Sequence, residues 1–242
     1  MKVTILIPCL NEQHTIAFVV DKARRSLILN NVEGEVLVAD NGSTDLSVER
    51  AEKMGARVIH VEERGYGAAL IAGTKAAEGD YIIMGDADDS YDFFEIKPFL
   101  DVINGNKHYD LIMGNRFKGG IDEGAMPFLH RYLGTPVLSF IGRFLYHNKI
   151  GDYNCGMRCY DKQRFIDLDL QCPGMEYASE MIIQASLAKY DICEVPIKLH
   201  KDKRNRPPHL NTWSDGWRHL KILVKSRFSK NRQKDKIRKA SK

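Results

Sequence analysis

The stretch YIIMGDADDSYDF, residues 81–93, begins as a short apolar run and then gathers four carboxylates within seven positions. An apolar run of this length that stops at a glycine is typical of a buried strand. A carboxylate cluster at the end of such a strand is unfavourable unless a cation or hydrogen-bond donors compensate its charge. The stretch therefore predicts a strand that brings Asp86, Asp88, Asp89 and Asp92 to a cation or donor site.

The same alternation of apolar runs and helical patterns extends along the chain on both sides of this stretch. Helical patterns at about residues 15–29, 45–54, 66–77 and 93–103 separate the runs VTILIP, EVLVAD, RVIHV, DYIIMGD and YDLIMGN. This order predicts an α/β fold with a mostly parallel, Rossmann-like sheet and helices on both faces.

Polar residues and glycines follow each of the five predicted strands. Ligands of such sheets bind at the carboxyl ends of the strands. We therefore expect one crevice lined by Pro8, Asn11 and Glu12, by Asp40, Asn41 and Gly42, by Arg64, Gly65 and Gly67, by Asp86 and Asp88, and by Asn115 and Arg116.

Asp86 and Asp88 are separated by one residue, Ala87. In an extended turn both carboxylates can therefore reach one point while Ala87 turns away. Oxygen ligands suit a hard cation, so Mg²⁺ or Mn²⁺ bridging carboxylates and substrate phosphates is the expected cofactor. Such triplets also occur by chance, and carboxylates often cap helices; we expect Asp92, just before the helix predicted at residue 93, to be a cap.

Composition favours one large core domain with appendages, since 43% of the 242 residues are apolar. The five cysteines are an odd number without zinc-type spacing, which indicates reduced thiols in a cytosolic protein. The opening run MKVTILIPCL is short and is followed by NEQH, so it predicts a first strand and not a signal peptide. No run of eighteen apolar residues predicts a membrane span.

Charge is distributed unevenly along the chain. Residues 198–242 carry 16 Lys and Arg against three Asp and Glu, whereas the rest of the chain is acidic. From Trp217 onward, apolar residues recur at helical spacing with basic residues elsewhere on the wheel. We therefore predict a domain at residues 1–212 and an amphipathic helix with a basic tail at residues 213–242. Such a tail is either solvated or a tether to an anionic partner.

Six ordered segments carry a resemblance to a known family: IPCLNE, VADNGSTD, RGYGAAL, GDADDS, MGNRFKGG and GDYNCGMR. They resemble the family 2 glycosyltransferases of the GT-A fold, in the branch of polyprenyl-phosphate and dolichol-phosphate sugar synthases. PGMEYASEM, CEVPI and SDGWRHL are similar to bacterial members of that branch. The resemblance implies an inverting transfer of a sugar from a nucleotide diphosphate sugar, UDP being the expected nucleotide, to a polyprenyl phosphate at the cytoplasmic membrane face.

The resemblance also implies positions for the nucleotide sugar. Pro8, Glu12 and Asp40 would line the base and ribose, and Gly65 and Gly67 would let the backbone approach the nucleotide closely. Each residue also has a structural alternative: a strand end, a helix-start carboxylate, a cap or a tight β-α turn. The full set that the resemblance places against the nucleotide sugar is Pro8, Asn11, Glu12, Asp40, Gly65, Gly67, Asp86 and Ala87.

For the metal, the resemblance implies that Asp88 is the principal ligand and that Asp86 faces the ribose or the metal. Archaeal relatives complete the metal shell with an amide at a position where this chain has Ser90. The third ligand is therefore left open.

Stabilising the departing nucleoside diphosphate is the main catalytic demand, and Arg116, directly after the fifth strand, is the candidate for it. Arg131 matches a basic position of the bacterial relatives and is expected to meet the acceptor phosphate. A further arginine of the archaeal pattern is replaced here by Pro136. Asp152 and Glu180 are expected to orient the acceptor or its counter-charges. A phosphate acceptor is already ionised, so no strong general base is needed.

Two segments could bring the protein to a lipid. Residues 127–146 mix bulky apolar groups with arginines, which suits an interfacial helix or hairpin and also a buried core helix. Bacterial relatives usually continue from the WRHL motif into membrane segments, whereas this chain ends in a basic tail. We therefore expect peripheral attachment to the inner face of the cell membrane through its anionic surface, or help from a membrane-protein partner or a homo-oligomer.

Two other functions remain open. A transferase on the same scaffold could place the sugar on a hydroxyl of a glycan or glycolipid. A non-enzymatic protein could bind polyanions through the tail, but the tail lacks aromatics after Phe228 and has no recognition motif, so no nucleic acid is expected. A dehydrogenase is excluded because no G-x-G-x-x-G follows the first strand.

Overall fold

The computed structural model describes residues 1–203 and 217–227. Within these residues a seven-stranded sheet has the strand order β3-β2-β1-β4-β6-β5-β7. The strands are β1 Val3–Cys9, β2 Gly34–Asp40, β3 Arg57–His60, β4 Tyr81–Met84, β5 Leu111–Asn115, β6 Arg158–Asp161 and β7 Ile192–Pro196.

Helices connect these strands. They are α1 Ile16–Leu29, α2 Ser47–Lys53, α3 Tyr66–Ala76, α4 Lys97–Ile103, α5 Arg116–Gly119, α6 Thr135–Tyr146, α7 Lys162–Asp167 and α8 Tyr177–Leu187, and α9 at residues 217–227. A 3₁₀ turn, Phe93–Ile96, precedes α4, and a π-helical turn, His130–Gly134, precedes α6. The first four helices lie where the sequence predicts them, and Asp92 caps the 3₁₀ turn by accepting a hydrogen bond from the N–H of Phe94 at 3.0 Å.

The predicted mostly parallel sheet is confirmed, with one insertion that the sequence does not reveal. Strand β6 lies between β4 and β5 and runs antiparallel to both, pairing Arg158 with Met84 on one side and with Met113 on the other. Because β6 runs in the opposite direction, its first residue lies at the edge where β4 and β5 end. The segment that precedes β6 therefore reaches the edge of the sheet that carries the predicted site.

Helices cover both faces of the sheet, as predicted. Alternate residues of β1 belong to different apolar clusters: Ile5 and Ile7 pack with α1, α2 and α4, while Leu6 packs with α3, α7 and α8. This alternation follows from the two-residue period of a strand. A sheet that buries apolar side chains on both faces is held firmly, so the loops at its carboxyl edge have a fixed base.

Helix α9 packs onto the domain. Leu223 is fully buried in the apolar cluster formed with α6 and α8. The hydroxyl of Tyr146 donates to the carbonyl oxygen of Leu223 at 2.6 Å, and His219 Nδ1 lies 2.7 Å from Ser179 Oγ. The predicted boundary at residues 212 and 213 falls outside the described residues, as do Phe228 and the basic tail beyond it.

Within the described residues, no helix combines the length and the apolar character that crossing a bilayer requires.

Candidate active site

The loops after β1 and β2 are hydrogen-bonded to each other. The N–H of Asn11 donates to Ser43 Oγ at 2.9 Å, and Asn11 Oδ1 accepts from the N–H of Thr44 at 2.8 Å. The N–H of Glu12 donates to Ser47 Oγ at 2.7 Å. The two loops therefore form one continuous wall of the site, in which Asn11 and Glu12 also have structural roles.

Asp40, the last residue of β2, caps the turn that follows it. It is 2% exposed, and its carboxylate accepts from the N–H groups of Gly42 and Ser43 at 3.2 and 3.1 Å. Pro8 lies beside it on β1, paired with Ala39. The predicted helix cap is wrong for Asp40, because the N-cap position of α2 is Leu46 and Asp40 caps only its own turn; base and ribose contacts by Asp40 and Pro8 stay predictions.

Asn41 joins the β2 and β3 loops, a role that the sequence analysis did not assign. Its side chain donates to the carbonyl oxygen of Glu63 and accepts from the N–H of Gly65, both at 2.7 Å. The guanidinium of Arg64 donates to the carbonyl oxygens of Asn41 and Gly42. Arg64 therefore places a positive charge over the ends of β2 and β3.

Gly65 and Gly67 make room for protein backbone. A Cβ at Gly65 would lie 2.1 Å from the carbonyl oxygen of Pro173, and one at Gly67 would lie 2.1 Å from that of Cys172. Gly65 also has φ 136, a conformation that L side chains rarely adopt. The side of each glycine where a Cβ would lie is covered by the segment at residues 172–174, so a tight packing role is present, and the approach of a nucleotide to this loop stays a prediction.

Glu180 holds this covering segment in place. Its carboxylate accepts from the N–H of Gln171 at 3.1 Å and from the N–H of Cys172 at 2.8 Å. Glu180 is buried on α8. The predicted role in orienting the acceptor is not supported by these contacts, because the carboxylate is committed to backbone donors of the protein.

The loop after β4, which we call the acid loop (residues 85–92), presents Asp86 and Asp88 at the sheet edge. Asp86 Oδ1 accepts from the hydroxyl of Tyr66 at 3.0 Å, and Asp88 Oδ1 accepts from the N–H of Ser90 at 2.9 Å. Burial raises the pKa of Tyr66 well above its ordinary value and the charge of Asp86 adds to this, so the phenol stays protonated and donates. Ala87 packs into the core, turned away as expected.

Arg116 and Asp152 form a bidentate ion pair. Arg116 Nε lies 2.7 Å from Asp152 Oδ2, Arg116 Nη2 lies 2.7 Å from Oδ1, and the N–H of Arg116 also donates to Oδ2. Burial opposes the guanidinium charge, but Tyr91 and Asp152 outweigh it and hold the pKa of Arg116 well above its ordinary value. Asp152 is fully buried against Arg116, which agrees with the alternative that it orients a counter-charge; its contact with the acceptor stays a prediction.

Glu194 on β7 supports this pair, and the sequence analysis missed it. Its Oε1 accepts from Asn115 Nδ2 at 3.0 Å and from the N–H groups of Gly151 and Asp152 at 2.7 and 3.2 Å. Its Oε2 lies 2.8 Å from Lys118 Nζ. A glutamate inside the apolar run ICEVP was the available signal. Glu194 thus fixes the loop that carries Asp152.

Tyr91, near the end of the acid loop, contacts the segment that precedes β6. Its hydroxyl accepts from the N–H of Gly156 at 2.9 Å, and a Cβ on Gly156 would lie 2.7 Å from Asp86 Oδ2. Burial raises the pKa of Tyr91 well above its ordinary value, against the influence of the nearby charge of Arg116. Tyr91 therefore links the acid loop to the segment before β6, and the charges of Arg116 and Asp86 both act on its phenol.

Arg131 lies in the π-helical turn, where its guanidinium is 5.5 Å from the ring centre of Tyr132. Burial lowers the pKa of the neighbouring His130, and the charge of Arg116 lowers it further. The turn continues into α6, whose first residue, Thr135, accepts from Asn154 Nδ2 at 3.4 Å. Contact between Arg131 and an acceptor phosphate stays a prediction.

Residues 128–146 form one continuous helical segment whose bulky apolar residues face outward. The inward face combines small residues, Thr135, Ser139 and Gly142, with Tyr146, which packs into the core, and a Cβ at Gly142 would collide with the ring of Tyr153. Of the alternatives for residues 127–146, the hairpin and the buried core helix are wrong. We call the outward face the exposed stripe: Phe128, Leu129, Tyr132, Leu133, Val137, Phe140 and Phe144, each 44–74% exposed.

The donor set at the acid loop suits a divalent cation. Among the residues that the structure describes, no three His, Cys, Asp or Glu side chains come together as a metal site of their own. Asp86 and Asp88 supply hard oxygen ligands at the sheet edge, and Mg²⁺ is usually held by one or two carboxylates together with substrate phosphates. The residues therefore fit an ion that is shared with a diphosphate.

Comparison with known proteins gives a consistent result. The pattern of the family described as glycosyl transferase family 2 matches residues 4–169. The low-salt glycan biosynthesis hexosyltransferase Agl6 of Haloferax volcanii is 37% identical over 91% of this chain, which spans 52% of that protein. The dolichyl-phosphate hexose transferase of the same organism is 34% identical over 77% of this chain and 78% of its own length.

Solved structures show the same fold. Glucosyl-3-phosphoglycerate synthase from Mycobacterium tuberculosis, in complex with Mn²⁺, UDP and phosphoglyceric acid, has a TM-score of 0.72 at 23% identity, over 93% of this chain and 78% of that one. The same enzyme with Mg²⁺ and UDP has a TM-score of 0.70 at 23% identity, over 93% of this chain and 79% of that one. The likeness confirms the predicted GT-A fold.

Proposed function

Because the chain belongs to glycosyltransferase family 2, we propose that it moves a hexose from a nucleotide diphosphate sugar, with UDP as the expected nucleotide, to a polyprenyl phosphate. The names of the two Haloferax relatives support a hexosyltransferase and, for one of them, a dolichyl-phosphate substrate. The Mn²⁺, Mg²⁺ and UDP complexes of the structural neighbours support a metal-assisted use of UDP. We expect inversion at the anomeric carbon.

The observation that carries this proposal is the position of the exposed stripe. Within its helical segment, the start of α6 contacts the loop that carries Asp152, with Asn154 Nδ2 donating to Thr135 Oγ1 at 3.4 Å. Its inner face rests on the segment that carries Asp152, with Ser139 Oγ accepting from the N–H of Tyr153 at 3.2 Å. A long apolar acceptor could therefore lie along the stripe while its phosphate enters the site.

The charges of the site match the needs of the leaving group. A divalent cation at Asp86 and Asp88 would act as a Lewis acid on the diphosphate, which contributes several kcal/mol to such reactions. Arg116 keeps its proton throughout the neutral pH range. Its Nη1 lies outside the bidentate pair with Asp152, so it can donate to a phosphate oxygen without breaking that pair.

The carboxylates beside Arg116 favour a phosphate acceptor over a hydroxyl. A hydroxyl acceptor requires a general base near the reacting oxygen. Asp152 is fully buried against Arg116, and Glu194 accepts from three N–H groups and an ammonium. Neither is placed to remove a proton from a hydroxyl acceptor. The hydroxyl-acceptor alternative, on a glycan or glycolipid, is therefore the weaker candidate.

We also propose that the protein works at the inner face of the cell membrane as a peripheral protein. The aromatic residues of the exposed stripe lie in the same helical segment as Arg131 and Arg143. This combination suits the interface of an anionic bilayer. Trp217 and Lys221 of α9 are exposed as well. Help from a membrane-protein partner or a homo-oligomer, and a role of the basic tail, remain part of this proposal.

The decisive experiment offers a panel of labelled nucleotide sugars with Mg²⁺ or Mn²⁺ to the purified protein. Polyprenyl phosphate is the acceptor, and the corresponding polyprenol, which lacks the phosphate, is the matched control. We expect labelled lipid with the phosphate and none with the alcohol. Labelling of the alcohol or of a glycan hydroxyl, with polyprenyl phosphate left unlabelled, would establish the alternative transferase.

A further inference from the structure

Asp89 is the third carboxylate of the acid loop, and two lysines hold it from opposite ends of the chain. Lys22 Nζ on α1 lies 2.9 Å from Asp89 Oδ1, and Lys203 Nζ lies 2.6 Å from Asp89 Oδ2. The Asp89 side chain is only 2% exposed, and Lys22 is buried with it. We call Lys22, Asp89 and Lys203 the clamp.

The clamp lies at the end of a segment after β7, residues 198–203, which we call the strap. The strap is hydrogen-bonded to the acid loop through its backbone: the N–H of His200 donates to the carbonyl oxygen of Ser90 at 2.9 Å, and the N–H of Lys203 donates to that of Asp88 at 3.0 Å. Its other edge meets the loop after α5, where the N–H of Leu199 donates to the carbonyl oxygen of Gly120 at 3.0 Å. The strap thus connects the acid loop to the loop that follows Arg116.

An aromatic ring supports the two ammonium groups of the clamp. Lys22 Nζ lies 4.6 Å and Lys203 Nζ lies 4.8 Å from the ring centre of Phe18. Lys22 also lies 3.4 Å from Asp92, the cap at the end of the acid loop. The two ammonium groups lie close to the same ring and repel each other. The buried carboxylate between them offsets this repulsion. The arrangement therefore depends on Asp89.

We propose that Asp89 is a positioning residue, whose clamp by Lys22 and Lys203 fixes the acid loop so that Asp88 meets the cation and the diphosphate. This inference rests on the proposed function and adds the strap to its site. It divides the carboxylates of the acid loop by role: Asp86 and Asp88 serve the ligand, and Asp89 anchors the loop.

Two features of the backbone explain why an anchor is needed here. The backbone of Asp89 has φ 61, in the left-handed region that residues other than glycine seldom adopt. The carbonyl oxygens on each side of it, those of Asp88 and Ser90, are the acceptors for the strap. The two charged contacts of its side chain compensate the strained backbone and hold both carbonyl groups toward the strap. Losing a clamp contact would let Asp88 move.

Lys203→Met tests the clamp, with Lys198→Met as the matched control. Both lysines lie in the strap, are about half exposed and form one ion pair with a carboxylate, but Lys198 pairs with Asp122 at 2.9 Å and not with the acid loop. We expect Lys203→Met to speed amide hydrogen exchange in peptides covering residues 85–93 of the ligand-free protein, and Lys198→Met to leave it unchanged. Equal protection in the two variants would overturn the proposal.

Mn²⁺ binding in the presence of UDP, followed by electron paramagnetic resonance, separates positioning from simple charge. Removing the Lys203 charge makes the combined charge of the acid loop and the strap more negative, so a purely electrostatic role predicts tighter Mn²⁺ binding. The clamp predicts Mn²⁺ binding weakened by roughly fivefold, the size of a lost half-exposed ion pair. Tighter Mn²⁺ binding in Lys203→Met would show that Asp89, once freed from Lys203, acts as a ligand of the cation. That result would overturn the proposal.

A charge-balanced pair of substitutions gives an independent check. Asp89→Asn combined with Lys203→Met keeps the combined net charge of the acid loop and the strap but removes the clamp, so Mn²⁺ binding should stay weak. Recovery of normal Mn²⁺ affinity in this double variant would contradict a positioning role. Lys203→Arg, which preserves the charge at a half-exposed position, should restore both exchange protection and Mn²⁺ affinity.

The same measurements distinguish a failure of this inference from a failure of the proposed function. Hydrogen exchange and Mn²⁺ binding need no acceptor and no turnover. If the wild-type protein transfers no sugar to polyprenyl phosphate, the proposed acceptor is wrong, while the exchange comparison still decides whether the clamp anchors the acid loop.

Discussion

Asp152 binds the guanidinium of Arg116 through both carboxylate oxygens and also accepts a hydrogen bond from the backbone N–H of Arg116. The two residues are 36 positions apart in the chain, and β6 brings them to the same sheet edge. An arginine held in this way has one orientation, so the nitrogen outside the pair points in a fixed direction. The ion pair therefore sets where the positive charge of the site is delivered.

Arg116→Ala should lower both turnover and stability. The substitution leaves Asp152 as a buried carboxylate without its cation, which typically costs about 3–5 kcal/mol. The double variant Arg116→Ala/Asp152→Asn should unfold at a higher denaturant concentration than Arg116→Ala, and turnover should stay low in both. Lys97→Ala, which removes an exposed lysine whose partner Asp101 is also exposed, is the control for denaturation and turnover. Normal turnover in Arg116→Ala would exclude a role for Arg116 in the reaction.

Asp88→Asn should abolish turnover while the protein stays folded, because it removes an anionic ligand at nearly constant side-chain volume. Turnover with Mg²⁺ and with Mn²⁺, together with the circular dichroism spectrum, measures this. Asp92→Asn is the control, since Asp92 caps a turn of the same loop through Phe94. A normal rate in Asp88→Asn with either metal would refute the ligand assignment.

Glu180→Gln should loosen the segment at residues 172–174 without touching the acid loop. The carboxylate accepts two backbone N–H groups, and weakening such buried bonds costs about 1–3 kcal/mol. We expect faster hydrogen exchange at Gln171 and Cys172 and a lower unfolding temperature. If instead the KM for the lipid acceptor rises while exchange at these amides is unchanged, the original prediction that Glu180 orients the acceptor would be restored.

Replacing Phe140 and Phe144 with serine should weaken binding to anionic vesicles and slow transfer to polyprenyl phosphate. Both side chains are exposed on the stripe, so the fold should not change. The control is the pair Ile28→Ser/Leu29→Ser at the end of α1, where two apolar residues are each 71% exposed. Equal losses in the two double variants would show that exposed apolar area in general, and not the stripe, drives binding.

Deleting residues 229–242 tests the basic tail, which lies outside the described residues. A tail that binds anionic lipid contributes on the order of 1 kcal/mol per basic residue near the surface, and this attraction is screened by salt. Sedimentation with anionic vesicles at low ionic strength should then be weaker for the truncated protein, with nucleotide binding unchanged. Equal sedimentation would assign membrane attachment to the stripe or to a membrane-protein partner.

Thiol reactivity should be low in the folded protein at pH 8. All five cysteines are free thiols, and burial raises the pKa of Cys9 and Cys155 to about 12 and that of Cys193 to about 11. A raised thiol pKa means less thiolate at a given pH, so reaction with a disulfide reagent should be slow at pH 8 and accelerate toward pH 11. In the unfolded protein all five thiols should react rapidly, which gives the number against which the folded protein is compared. Rapid reaction of Cys155 in the folded protein would contradict its burial.

The strands and helices in the first half of the fold were predictable because the sequence patterns that indicate them are local. Residues 3–103 alternate between apolar runs and amphipathic patterns, and each strand or helix there depends on neighbours within a few positions. The place of Asp86, Asp88 and Arg116 at one sheet edge follows from the rule that parallel strands share their carboxyl edge. These residues were identified before any contact was known.

The tertiary structure alone decided what these residues contact. The insertion of β6 between β4 and β5 joins segments about 45 to 80 residues apart, and the periodicity of a strand says nothing about its neighbour in the sheet. That insertion brings Asp152 to Arg116, while β7 brings Glu194 and the strap brings Lys203. The exposure of Phe140 and Phe144 likewise depends on small residues opposite them that pack on Tyr153. The sequence thus determined which side chains carry charge, because charge is a property of each single residue. Which charged groups pair, and which apolar side chains are exposed, was decided by the long-range packing of the domain.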